Sequence, residues 1–128
     1  SGFADFPRCE FTTLRETDDR IFATALSATW TWSPEMEPAD FAQANSAILE
    51  AMLGPFALNY SPSVQTTLFQ MGEAALAACA EIARIHLAMP NKHCLLLDLA
   101  PFGLENRNEV FIPTDEPQGQ IEATIARA

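Results

Sequence analysis

The fifteen residues Ile85-His86-Leu87-Ala88-Met89-Pro90-Asn91-Lys92-His93-Cys94-Leu95-Leu96-Leu97-Asp98-Leu99 carry the plainest structural signal in the chain. Ile85 to Met89 alternates at period two, the mark of a strand with one buried face. Leu95 to Leu99 is nearly all apolar and reads as a second strand. Pro90-Asn91 interrupts them, because proline cannot donate to a ladder. A turn or bulge there lifts Asn91 and His93 out of the pairing pattern and aims them at whatever lies beside the sheet.

Upstream, Val64, Leu68, Met71, Ala75, Cys79 and Ile82 form one helical stripe, with Ser61 as cap and Pro62 at the first helical position. Before it, Phe41, Asn45, Ile48, Met52 and Phe56 recur at helical spacing, and Gly54-Pro55 weakens or ends that helix. Arg20 to Trp32 reads as a long strand: Phe22, Leu26, Ala28, Trp30 and Trp32 share one face, while Ser27, Thr29 and Thr31 share the other. Glu10-Phe11-Thr12-Thr13-Leu14 suggests a short edge strand. Downstream of the Gly103 loop, Glu109 to Ile112 and Gln120 to Ile125 supply closing strands, with Pro113 and Pro117-Gln118-Gly119 as breakers. Strands, paired helices, then strands imply an α+β layer, with helices over one face of an antiparallel sheet.

A length of 128 residues suits one domain spanning 1–128. Net charge of −10 argues against nucleic acid, which needs basic clusters. No run of roughly 18 apolar residues suggests a membrane span. Cys9, Cys79 and Cys94 match neither a zinc ribbon nor a disulfide framework, which points to a reducing compartment. The start, Ser1-Gly2-Phe3, has no basic region followed by an apolar one and no methionine, which suggests a processed or truncated piece.

Few residues are suited to chemistry. Arg20 is either a surface arginine paired with Asp18 or Asp19, or a planar donor for an anionic, carbonyl-rich ligand. Ser63-Val64-Gln65 falls in the first turn of the second helix, where unpaired N–H groups suit an acceptor-rich ligand. His93 is a satisfied histidine or a proton shuttle near neutral pH. His86, mid-strand, reads as structural, and the single lysine, Lys92, as solvated at its turn. The spacing of His93, Cys94 and Asp98 does not suit zinc.

Phe3, Thr12-Thr13-Leu14 with Asp19-Arg20, Ser63-Val64-Gln65, Pro90-Asn91-Lys92-His93, Asn108-Glu109-Val110-Phe111 and Gly119 to Thr124 together resemble the C-terminal half of urate oxidase (uricase). The resemblance runs through essentially the entire chain, in order. It implies the tunnelling fold (T-fold), an antiparallel four-stranded sheet with two helices on one face. It also implies an absent N-terminal T-fold half and a tunnel-shaped, usually tetrameric assembly. The implied activity belongs to purine degradation: urate, O2 and water give 5-hydroxyisourate and H2O2, without cofactor or metal.

The same resemblance assigns roles. Phe3 stacks on the purine ring, Arg20 grips one edge, and Gln65 with the Val64 N–H takes the other. Leu14 belongs to an apolar wall, Asn91 holds dioxygen or water, and His93 belongs to a lysine–threonine–histidine proton relay. The relay's lysine and threonine belong to the absent half, so this chain alone is expected to be inactive. Cys94 stands where an aromatic is common. The ending Ala126-Arg127-Ala128 lacks a peroxisomal tripeptide, which favours a bacterial cytoplasm. Two other readings stay open: a pterin- or purine-binding enzyme of the same fold, and a non-catalytic scaffold partner.

Overall fold

Ile85, Leu87 and Met89 are fully buried and His86 between them is exposed, so the period-two pattern does mark the inner face of a strand. The structure is a computed structural model that describes residues 1–13 and 15–127. In chain order it runs β1 (Ser27–Trp32), α1 (Phe41–Leu58), α2 (Val64–Ala78), β2 (Ile82–Asn91), β3 (Cys94–Leu96), a 3-10 turn (Ala100–Phe102), β4 (Phe111–Pro113) and β5 (Gly119–Ala126). Antiparallel pairing puts β2 in the middle of a sheet ordered β1-β2-β5, and β3 with β4 forms a separate ribbon.

The two helices cover one face of the sheet. Ile48 and Met52 of α1 meet Val64, Leu68, Met71 and Ala75 of α2 over Ile85, Leu87, Met89 and Ile125. Burying each large side chain of that set stabilises the fold by about 1.5–3 kcal/mol. Trp30 and Trp32 close one end, where Trp32 meets Phe41 edge-on at 5.3 Å. The opposite face carries Thr29, Thr31, Arg84, His86 and Thr124 and is uncovered. Gly72 lets α2 approach β5, since a Cβ there would sit 2.6 Å from the Ile125 Cδ1. Arg127 closes the far end of α2 by donating to the carbonyls of Leu76, Cys79 and Ile82.

The α+β architecture stands as expected, but its details differ. The single four-stranded sheet becomes three strands plus the two-stranded ribbon. Among the described residues, those before β1 contribute only isolated bridges, Phe3 to Thr17 and Ala23 to Lys92. Pro90 lies inside β2, paired with Gln120, and is not the break between strands. It still has an effect on β1. The Ala23–Lys92 bridge continues the register of Ser27 and Ala88, and Pro90 falls between them facing Ala25. Without an N–H it cannot bond there, so the regular strand begins at Ser27 rather than Arg20.

Residues 10–13 of the expected edge strand form a turn, with Thr12 N–H on the Cys9 carbonyl at 3.0 Å. The α1 helix runs through Pro55, whose missing bond falls in its last turn, and Phe56 packs on Phe22 at 4.9 Å. The cap of α2 is Ser63, accepting from Thr66 N–H at 3.1 Å. Ser61 is buried instead: its hydroxyl donates to the Ser63 carbonyl and accepts from Thr67. No helix is long and apolar enough to cross a membrane among the described residues.

Candidate functional site

A cavity of about 610 Å³ opens where three segments meet: residues 3–21, the end of β2 through β3, and the loop before β4. That volume lies in the range of small-molecule sites. Its walls include Phe3, Arg20, Asn91 and His93, four of the residues singled out from the sequence.

Arg20 is anchored through its main chain. Its N–H donates to the Ser1 carbonyl at 2.8 Å, and Ser1 Oγ donates to the Arg20 carbonyl at 2.9 Å. Its Nε donates to the Gly2 carbonyl at 3.1 Å. The Nη2 group is buried and has no partner among the described residues. Burial pulls the guanidinium below its ordinary value, with Tyr60 acting the other way. It stays charged, as arginine does in proteins. A buried, unpartnered cationic N–H is costly unless something accepts from it.

Phe3 is half-buried beside it, with the Arg20 Cζ 5.6 Å from the ring centroid. Phe6 stacks on Phe3 at 4.5 Å and 18° and takes one face, and Arg8 lies over Phe6 at 5.1 Å. A flat ligand on Phe3 must therefore use the other face. Phe6 had no role from the sequence.

Asn91 closes β2 opposite Gly119, and the next residue, Lys92, donates its N–H to the Ala23 carbonyl at 3.1 Å. The His93 carbonyl accepts from both the N–H and the hydroxyl of Thr114, at 2.9 and 3.1 Å. The imidazole is therefore presented by a main chain fixed on both sides. Arg15, Arg20 and Lys92 all line the cavity, three of the seven basic side chains in the chain, against Asp18 and Asp19. In a chain of net charge −10, this lining thus carries a small local excess of positive charge.

Val64 and Gln65 do not line this cavity. Val64 is buried at the start of α2 and Gln65 is exposed. Their helix start nonetheless adjoins the segment carrying Phe3 and Arg20. Gly2 N–H donates to the Ser61 carbonyl at 2.8 Å, and the Tyr60 hydroxyl donates to the Asp18 carbonyl at 2.8 Å. Leu14 lies outside the described residues. Among the described residues no three His, Cys, Asp or Glu side chains are grouped to hold a metal. Sequence reasoning gave no role to Asn108, which lines the cavity; its left-handed backbone, φ 60°, is visible only in three dimensions.

Comparison with known proteins gives the same direction. The family model described as Uricase matches residues 1–122. A uricase of Arthrobacter globiformis is 44% identical over 99% of this chain and 41% of its own length. A uricase of Dictyostelium discoideum is 38% identical over 100% of this chain and 44% of its length. The crystal structure of the Arthrobacter globiformis uricase superposes with a TM-score of 0.94, over 99% of this chain and 44% of that one. A urate oxidase from Bacillus sp. TB-90, only 18% identical, shares the fold with a TM-score of 0.77 over 98% of this chain and 42% of that one. The chain spans less than half the length of these relatives. With family model, sequence and fold agreeing over nearly all its residues, the chain belongs to the uricase family.

Proposed function

We propose that this chain is one half of a cofactor-independent urate oxidase, converting urate, O2 and H2O to 5-hydroxyisourate and H2O2. The observation that carries this reading is the unpartnered, buried guanidinium nitrogen of Arg20, in a cavity shared with Phe3, Asn91 and His93. Urate is a flat, oxygen-rich anion, and each of these groups meets one of its properties. The face of Phe3 not stacked on Phe6 takes the ring, next to the Arg20 guanidinium. Arg20 takes a carbonyl and the charge. Gln65 and the Val64 N–H lie outside this cavity, at the helix start that adjoins the Arg20 segment, and the family resemblance alone assigns them the opposite edge.

The chemistry then asks little more of the protein. Urate deprotonated once more is reducing enough to pass electrons to O2, so what remains is orientation, proton transfer and shelter from water. Asn91 holds O2 or water over the ring, and His93 carries protons as the local end of a relay. Its other members, a lysine and a threonine, come from an N-terminal T-fold half, in a tunnel-shaped multi-subunit assembly. The half-length span against the curated relatives supports that need.

Urate consumption, followed by its ultraviolet absorbance together with peroxide formation, tests the proposal. The folded chain alone should give no turnover. The chain assembled with an N-terminal uricase half should give one H2O2 for each urate. Robust turnover by the isolated chain would refute the need for the second half, and an assembled protein that neither binds nor oxidises urate would refute the function.

A further inference from the structure

Asp18 and Asp19 directly precede Arg20, and all three line the cavity. Both acids neighbour Arg20 along the chain and share its cavity, so either carboxylate is a candidate partner for the guanidinium, and such a pair would occupy the group that the ligand needs. Yet Arg20 takes part in no ion pair among the described residues, and its Nη2 is unpartnered.

Asp19 is engaged elsewhere. Asn108 Nδ2 donates to Asp19 Oδ2 at 2.6 Å, joining positions 89 residues apart. Asn108 is positioned by its own loop. Asn106 Nδ2 donates to the Leu97 and Val110 carbonyls at 2.8 and 2.7 Å, and its Oδ1 accepts from the N–H groups of Glu109 and Val110 at 3.1 and 3.2 Å. These four bonds fix a loop in which Asn108 adopts φ 60°, a left-handed conformation that asparagine tolerates.

We propose that Asn108 is a positioning residue: it occupies the Asp19 carboxylate and so keeps Arg20 open to an anionic, oxygen-rich ring. This rests on the urate reading above. Without the amide, Asp19 is a free carboxylate at the exposed rim of the cavity that holds the unsatisfied, half-buried guanidinium, and opposite charges attract across that rim. The ligand must then compete with an internal anion.

The test uses the assembled enzyme carrying this chain and urate under anaerobic conditions, so that binding is read without turnover. Asn108→Gly removes the amide while keeping the left-handed backbone accessible. Its Kd for urate, and its KM in air, should rise about tenfold or more with kcat changing far less. Adding Asp19→Asn to that variant should restore most of the affinity, whereas adding Asp18→Asn should not. A crystal structure of Asn108→Gly should bring the Asp19 carboxylate into ion-pair distance of Arg20. Unchanged binding in Asn108→Gly, or weakened binding that Asp19→Asn does not rescue, overturns the proposal. If the unaltered enzyme fails to bind urate, the functional reading falls, while the Asp19–Arg20 separation in the variant still decides this proposal.

Discussion

Replacing Arg20 by alanine removes the group on which the functional reading leans most. A hydrogen bond to a charged partner contributes about 1.5–3 kcal/mol. Nη2 makes no bond among the described residues, so the loss of that group should be felt by the ligand. A loss of about 2 kcal/mol corresponds to roughly a 30-fold rise in Kd. The change also deletes the Nε bond to the Gly2 carbonyl and the cation beside Phe3. The local backbone has other ties: Arg20 to Ser1, Gly2 to Ser61 and Phe3 to Thr17, all through main-chain N–H groups at 2.7–2.8 Å. Thermal stability should drop by about 1 kcal/mol, the cost of leaving the Gly2 carbonyl without its donor, while urate binding falls by the larger factor above. Anaerobic urate titration of the assembled enzyme reads the Kd, and a melting curve reads the fold. Arg20→Lys should fall between, since it keeps the charge and loses the planar fork. A Kd for Arg20→Ala unchanged within experimental error, in a protein that melts normally, would refute the assignment.

Other perturbations probe the remaining parts. His93→Ala in the assembled enzyme should lower kcat by about 10²–10⁴ with urate affinity largely kept, as expected of a proton carrier; equal losses in kcat and affinity would make it a binding residue. Gly72→Ala gains up to about 1 kcal/mol of helix propensity but drives a methyl against Ile125 at an overpacking cost of about 1–3 kcal/mol. Its urea midpoint should fall, and Ile125→Val in the same chain should recover part of it. Burial, reinforced by the bond to Glu81, pushes the Cys79 thiol up. Its folded value thus exceeds the unfolded one of about 8.5, so this stabilisation is complete below that pH and fades as pH rises above it. Cys79→Ala should flatten the alkaline fall in unfolding free energy; an identical slope would place its origin elsewhere. Arg127→Gln should cost about 1–2 kcal/mol of stability by leaving the Leu76 and Cys79 carbonyls at the end of α2, and that of Ile82 at the start of β2, without their donor, which an unshifted melting temperature would contradict.

Much of the architecture was legible in the chain because local periodicity reports burial directly. The Val64–Leu68–Met71–Ala75 stripe and the Ile85–Leu87–Met89 alternation are core in the structure. Boundaries were less legible where two local signals competed. Ser61-Pro62 is a good helix start, yet Ser63 caps α2, because the Ser61 hydroxyl is buried against Ser63 and Thr67. Pro55 looked like a helix end, but packing of Phe56 on Phe22 accompanies one more turn. Residues 1–26 were the hardest. Their order comes from bonds to Ser61, Lys92 and Asn108, far along the chain, with little pattern of their own.

For the site, the chain by itself supplied the chemical types: a guanidinium after two acids, an amide and an imidazole around a proline, and an aromatic near the start. It also left Arg20 undecided between a pairing with Asp18 or Asp19 and a free donor. Folding resolved that choice by bringing Asn108 to Asp19. The reason is geometric: carboxylates compete for partners by distance and direction, and those are fixed by segments such as residues 19 and 108 that meet only in the folded chain. Local sequence encodes which groups exist, while the tertiary structure decides which of them are left unpaired for a ligand.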